Sequence, residues 1–428
     1  ALLLYVPALC SAQTATENYV KTVTMLDADG TDSLQAVQYY NGLGYPTLSV
    51  ATAGTDGGTA CTLTTYDGAG REKRRYLPVP ANGLEYIPVN GVTSMGLFYL
   101  DNGFFTESHY DALDRVTAVD IAGDTWRQAG KQDRTEHLAN TLSDLVLHYE
   151  APEDGSYSLT LPENTSSFEY YPEGTLAKAV SYDADNRSTA VFTDLLGRKI
   201  MERTAAGDTY YVYNDLGQLR FVLTPAFNKI SQEKTIYAYE YRYDNRGRVV
   251  WKKLPGAECV QYWYDSADRM AYMRDTALGN RYRFCLYDRF GRLCVQGTCS
   301  DGNRDGSVLS ATSYTSGSGG VCSTGYSAPY SISDPQLEIV NYYDTYEFIG
   351  NNLTSAMPAL TIGQEQRQHA IGYLTGQVVY ATGGEALGTV TVYDRKGQAV
   401  RTVRKGRGGH IEDVSTEYTF TGAVDSTE

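Results

Sequence analysis

The sequence predicts an all-β chain of tandem β-hairpins that pair into a long curved or spiralling antiparallel sheet. Three observations predict it. Tyrosine dominates the aromatics, 37 against 11 Phe and 3 Trp, and aromatic residues favour strands. The 42 glycines punctuate apolar stretches of period two, and long 3.6-period patterns are missing. A short word, Tyr-Asp-x-x-Gly-Arg, recurs along the chain at turn positions.

The clear copies begin at Tyr66-Asp67 with Gly70, at Tyr110-Asp111, and at Tyr213-Asn214 with Gly217. They continue at Tyr243-Asp244 with Gly247, Tyr264-Asp265, Tyr287-Asp288 with Gly291, and Tyr393-Asp394 with Gly397. Degenerate copies stand at Tyr40-Asn41 with Gly44 and at Thr193-Asp194 with Gly197. From Tyr213 the tyrosines recur after 30, 21 and 23 residues, a spacing suited to a repeat array.

Each residue type has a reason to be there. Asp at the first position of a type I turn accepts hydrogen bonds from backbone amides further round the turn. Glycine at the fourth position supplies the positive φ that closes a three-residue hairpin loop. That loop sets Tyr243 opposite Val249 and Tyr241 opposite Trp251, with Arg242, Arg248 and Lys252 on the other face. It likewise pairs Tyr287 with Leu293, Tyr213 with Leu219 and Tyr110 with Val116. A two-residue loop would mix the faces, so the three-residue register is expected. Asp114 and Asp268 replace the glycine in two copies, and Asp tolerates left-handed backbone better than most residues.

Taken in order, the chain opens with "ALLLYVPALCSAQT", an apolar run ending in small residues. It reads as the remnant of a secretory signal cleaved after Ala12; a lipoprotein acylated at Cys10, disfavoured by bulky Leu9, and a hydrophobic first strand are the competing readings. Residues 13–130 are expected to form an amino-terminal β domain with degenerate hairpins, and 131–299 the repeat array. A Gly/Ser-rich insertion, 300–340, is expected to be a flexible surface loop. Residues 341–428 resume the repeats. Past residue 13 no run is long enough to span a bilayer.

Seven cysteines occur without a C-x-x-C pair. Six would remain after signal removal, which permits disulfides in an oxidising compartment. The hairpin register places Cys285 opposite Val295 and Cys294 opposite Leu286, so no Cys285–Cys294 bridge is expected. The formal charge of −15 argues against nucleic acid as a partner. The basic runs Arg71–Arg75 and Arg401–Arg407 are expected on solvent-facing strand edges.

The repeat words resemble those of the YD-repeat, or Rhs, proteins of bacteria, over almost the whole chain. "YYVYNDLGQLRFVLTP" (Tyr210–Pro225), the stretch from Tyr239 to Met270, and "YRFCLYDRFGRLCVQG" look like consecutive repeats. "VQYYNGLGYPTLSV" (Val37–Val50), "YDGAGREKRRYLPVP" (Tyr66–Pro80) and "GKQDRTEHLAN" (Gly130–Asn140) resemble the domain preceding the repeats in secreted members. The resemblance implies a β-sheet wound into a hollow shell, which in many members encloses a carboxy-terminal toxin. Animal relatives, the teneurins, use a similar shell in adhesion. The sequence stops at "TFTGAVDSTE", before any Rhs core motif, so the core's autoprotease aspartates have no counterpart in it.

Candidate chemistry is sparse. The five histidines are single; His109 suits strand packing, and His137 and His148 fall in a polar connecting segment. No nucleophile-elbow, zincin or P-loop sequence is present. "LDADGTDS" (Leu26–Ser33) has its glycine misplaced for an EF-hand and reads as a polar turn, as do Asp183 and Asp185. No catalytic, metal or cofactor-binding residue is assigned. Aromatic rows also stack on sugars, yet the repeat tyrosines hold a phase fixed by the turn, as packing requires. A sugar site would need exposed aromatics outside that phase.

The expected function is a secreted, non-enzymatic shell that encloses or presents a downstream core or toxin domain. The alternative is a cell-surface adhesin or carbohydrate-binding scaffold. The expected partners are the chain's own downstream domain, with a cell-surface glycan or secretion machinery as further candidates.

Overall fold

The computed structural model describes residues 14, 16–26, 33–53, 58–152, 159, 170–229, 233–301, 304, 306–315, 319–350, 360–381 and 385–427. The expected signal segment and most of "LDADGTDS" lie outside the described residues. The chain divides into two compact units, one of residues 1–149 and 160–210, the other of 150–159 and 211–428.

In the first unit, strands Asn18–Met25, Ser33–Tyr40, Pro46–Ala53 and Gly58–Tyr66 form an antiparallel meander. The long strand Gly58–Tyr66 then serves two neighbours. Thr59–Cys61 pair with Val79–Ala81, whereas Thr64–Tyr66 pair with Glu72–Tyr76. From Glu72–Tyr76 the pairing continues through Phe105–Tyr110, Val116–Asp120, Gln132–Ala139, Ala177–Tyr182, Ser188–Thr193 and Lys199–Thr204, always antiparallel. The core follows from period two: Val37, Tyr39, Leu48, Val50, Cys61 and Leu63 occupy alternate positions and are buried. They pack with Val79, Val92 and Phe104, and the Tyr39 hydroxyl donates to the Leu84 carbonyl at 2.6 Å.

In the second unit each strand pairs antiparallel with the next from Leu219–Leu223 to Val424–Thr427. Two regimes of burial appear. The hairpin Ala238–Tyr243 and Val249–Lys253 is half-buried on both faces apart from Ala238, as a thin wall would be. Further along, Phe284, Leu286, Val295, Val340, Tyr342, Val378, Val390 and Val392 build a dense core.

Part of the insertion belongs to that core. Ser310, Thr312, Val321, Thr324 and Tyr326 are buried, and the Tyr326 hydroxyl donates to the Asn341 carbonyl at 2.7 Å. At these positions the expectation of a flexible surface loop is corrected, while 302–303, 305 and 316–318 lie outside the described residues. Tyr326 stacks on Tyr342, and Tyr342 on Phe348, with ring centroids 5.5 and 4.3 Å apart.

The basic runs are corrected too. Glu72–Tyr76 and Ala399–Lys405 each pair on both sides, so neither is a sheet edge. Their charges meet acids on adjacent strands, Arg74 with Glu107 at 3.0 Å and Arg401 with Asp413 at 2.6 Å.

The hairpin register departs from the expected one by a single residue. Tyr243 faces Val249, but Arg242 faces Trp251 and Tyr241 faces Lys252, so Val250 is extra. The same shift follows Tyr40, Tyr66, Tyr110, Thr193, Tyr264, Tyr287, Tyr393 and Tyr418. A bulge of this kind sharpens strand twist and flips the remaining residues to the other face. Trp251 consequently lies under Arg242, whose guanidinium carbon is 4.1 Å from the indole centroid. In the hairpin Tyr282–Tyr287 and Leu293–Cys299, Cys294 becomes the extra residue, and Cys285 faces Gln296 instead of Val295.

At the turn, Gly247 has φ of 77°, and an added Cβ would meet Gln218 Nε2 at 3.3 Å. Gly247→Val should destabilise the second unit by about 1–3 kcal/mol, while Asn245→Ala should change little. Equal shifts of the two variants in thermal melts would contradict this turn geometry.

Candidate functional site: the repeat turn and its clasp

The predicted repeat residues converge on one recurring arrangement. Each turn closes with the amide at the Asp position donating to the carbonyl four residues on, and the Gly-position amide donating back. For Asp244 these bonds are 3.0 Å to Arg248 O and 2.9 Å from Gly247 N. Asp67, Asp111, Asp194, Asn214, Asp265, Asp288 and Asp394 close identically. Gly70, Gly217, Gly247, Gly291 and Gly397 all have positive φ, and Asp114 and Asp268 adopt 62° in their place.

The Asp side chain does three jobs. One oxygen, Oδ1, accepts the amides two and four residues on at 2.8–3.0 Å, in the turns of Asp67, Asp111, Asp194, Asp244, Asp265, Asp288 and Asp394. The other, Oδ2, accepts the Nε of the arginine that follows the glycine. This bond is 2.6–2.9 Å for Arg71, Arg115, Arg198, Arg248, Arg269 and Arg292. Asn214 and Gln218 form a neutral version, with Asn214 Nδ2 donating to Gln218 Oε1 at 2.9 Å.

The arginine then reaches the next hairpin. Arg71, Arg248, Arg269 and Arg292 lie over the rings of Tyr110, Tyr264, Tyr287 and Tyr343 at 4.3–4.7 Å. Arg71 also meets Asp114 at 2.6 Å, and Arg248 meets Asp268 at 2.7 Å. The two aspartates that replace glycine thus stand where the previous hairpin presents a guanidinium.

Tyrosine closes the chain of contacts. The hydroxyls of Tyr66, Tyr110, Tyr243, Tyr264 and Tyr287 donate to the carbonyls of Pro46, Glu72, Leu219, Val249 and Met270 at 2.7–2.8 Å. Tyr343, Tyr393 and Tyr418 do the same to Leu293, Leu374 and Ala399. In most of these the accepting residue is the one that faces the tyrosine of the preceding hairpin. Phenylalanine would pack there but could not make this bond. The sequence signal was the fixed phase of the tyrosines; the hydroxyl's target follows from the neighbouring hairpin and is not written locally.

Further turns of the same form were not assigned to the repeat. Asp183–Arg187 closes with Asn186 at φ 60°, Thr419–Ala423 puts Thr at the Asp position, and Gly406–His410 closes likewise. Among the histidines, His109 is exposed on the strand Phe105–Tyr110, and its Nε2 lies 3.0 Å from Asp120 Oδ2 of the paired strand. His137 lies on Gln132–Ala139, and His148 abuts the Tyr171 ring at 4.3 Å. His137 thus leaves the expected connecting segment for a strand, whereas His148 stays in the segment between Gln132–Ala139 and Ala177–Tyr182.

Electrostatics follow the clasp. At Asp67 the Arg71 hydrogen bonds hold the carboxyl below its ordinary value. At Asp194, Asp244 and Asp265 burial pushes the pKa up, yet the arginine and backbone amides outweigh it and the net shift is downward. Such groups stabilise the fold above the ordinary carboxylate pKa of about 4 and lose that contribution as pH falls through their lowered folded values. Burial raises Tyr243, Tyr264 and Tyr393. Their contribution is complete below the ordinary phenol value of about 10 and is lost as pH rises through the higher folded values.

Tyr264→Phe should cost about 0.5–1.5 kcal/mol, and Tyr262→Phe, outside the phase, close to nothing. Asp265 is 1% exposed and also accepts the Ser310 amide at 3.1 Å. Asp265→Ala should cost roughly 3 kcal/mol or more, well beyond the effect of Asp111→Ala on the surface. Denaturant unfolding of these four variants checks both comparisons. A melting temperature that stays flat from neutral pH to below 4 and above 10 would contradict the titration argument.

A domain of unknown function, DUF6443, matches residues 12–139. No curated protein matches the chain. A crystal structure of TcdB2-TccC3-TEV is 14% identical with a TM-score of 0.51, covering 100% of this chain and 20% of that one. A crystal structure of TcdB2-TccC3 is 14% identical, TM-score 0.48, covering 96% and 21%. The Photorhabdus luminescens Tc holotoxin pore is 14% identical, TM-score 0.49, covering 96% and 19%. The chain thus spans about a fifth of the length of these structures, and the first-named shares its fold. Tandem Tyr-Asp-x-x-Gly-Arg turns are clasped hairpin to hairpin on an antiparallel sheet whose fold is shared with the TcdB2-TccC3-TEV structure.

Proposed function

We propose that the chain is part of a secreted, non-enzymatic YD-repeat wall that encloses or presents a downstream domain. The observation that carries this reading is what the repeat's polar groups do. Carboxylate, guanidinium and phenol are all engaged within a turn or between adjacent hairpins, so the recurring chemistry builds the sheet. The share of fold with a TccC3-containing structure supports the same reading. No helix among the described residues is long and apolar enough to cross a membrane.

The organisation that goes with this proposal is an amino-terminal β domain at 13–130, repeats at 131–299, an insertion at 300–340 and further repeats at 341–428. Export would proceed through the amino-terminal signal, giving a mature protein that begins at Gln13.

Limited proteolysis of the full-length gene product tests containment. A segment following the wall should resist protease in the wild type and become cleavable when Asp265→Ala weakens the wall. Equal cleavage in both proteins, or a gene product without any domain after residue 428, would contradict the enclosing role. Amino-terminal sequencing of exported protein should give Gln13, and an unprocessed amino terminus would contradict export through this signal.

A further inference from the structure

In the first unit one long strand has a single neighbour. Among the described residues Asn18–Met25 pairs antiparallel with Ser33–Tyr40 and with no other strand, so the backbone groups on its far side lack a ladder partner. Edges of this kind are blunted elsewhere by brevity, proline or charge. The strand Val79–Ala81, which pairs only with Thr59–Cys61, is three residues long and carries Pro80. Asn18–Met25 has eight residues, no proline, and Lys21 as its single charge. Tyr19, Val20, Thr22, Val23 and Thr24 are all good strand formers.

Both faces of this strand offer side chains to an added neighbour. Tyr19 meets the buried Tyr39 ring with centroids 5.8 Å apart, so Tyr19, Lys21 and Val23 share the core side. Val20, Thr22 and Thr24 share the opposite side, where Leu34 faces Thr24. Tyr19, Val20, Val23 and Leu34 are 39%, 56%, 42% and 43% exposed, so apolar surface runs up to the edge and stops there uncovered.

Charge selects the occupant. A basic strand would meet Lys21, and an acidic one would approach a chain of net charge −15. A near-neutral strand suits the edge, and Asn18–Met25 is itself such a strand. Two copies related by a two-fold pair about one residue that faces its own counterpart. Centring on Lys21 would oppose the two lysines. Centring on Thr22 sets Thr22 against Thr22, Val20 against Thr24 and Lys21 against Val23. Centring on Val23 sets Val23 against Val23 and Thr22 against Thr24. Either of these two registers avoids directly opposed like charges.

We propose that Asn18–Met25 pairs antiparallel with the same strand of a second copy of this chain, joining two first units through one continuous sheet. The contact uses the same strand on both copies and closes on itself, so association stops at the dimer. The proposal stands apart from the enclosing role, which concerns what a wall surrounds.

The test is sedimentation equilibrium of the purified chain at rising concentration. The average mass should climb from one chain toward two. The double variants Thr22→Glu/Thr24→Glu and Thr22→Lys/Thr24→Lys place like charges across the contact in both registers. Each should weaken dimerisation by about tenfold or more. Thr22 and Thr24 are exposed on the side away from the core, and circular dichroism melts establish that each variant is folded. Mixing the two variants should restore the dimer, because glutamates then face lysines. A monomer at every concentration, association unchanged in both variants, growth beyond the dimer, or a mixture that fails to dimerise would overturn the assignment.

Discussion

The structure depends on the hydrogen bond from a tyrosine hydroxyl to a backbone carbonyl of the preceding hairpin. A two-stranded hairpin is marginal in water, so a wall of hairpins stands only if each is fixed to its neighbours. Strand pairing supplies part of that fixation. The tyrosine adds a bond directed at the residue beside the preceding hairpin's bulge, as Tyr264 does at Val249, next to the extra Val250. The aspartate and arginine serve the same junction from the other side. Asp244 holds the tip and the arm of Arg248, and Arg248 covers the Tyr264 ring. The motif is thus a joint between hairpins as much as a turn within one.

Much of this was legible in the sequence. The turn could be read because Asp and Gly have local roles, one accepting backbone amides and the other supplying positive φ. The first pair of each hairpin, such as Tyr287 with Leu293, follows from loop length alone. The bulge one step further was not legible, because Val250, Ala271 and Cys294 share no residue type that marks them. The clasp partners were also hidden, since Arg71 and Asp114 lie 43 residues apart and meet only once the strands are ordered. The insertion misled for a related reason. Its Gly/Ser composition describes local freedom, while Tyr326, Val321 and Thr324 are recruited by an aromatic stack elsewhere in the unit.

The repeat also separates two kinds of position. Residues in phase with the turn are engaged in holding hairpins together, and their substitution is expected to act on stability. Residues between the fixed positions differ: Arg246 still pairs with Asp268 of the next hairpin, whereas Arg289 packs on its neighbour Phe290 at the tip.

Hydrogen exchange on Tyr287→Phe tests the joint most directly. The hydroxyl of Tyr287 reaches Met270, so its loss should loosen the junction between Met270–Arg274 and Tyr282–Tyr287. The account predicts faster amide exchange along that junction, with the turn Asp288–Arg292 closing as before. Unchanged exchange at the junction, or loosening confined to the variant's own turn, would contradict it.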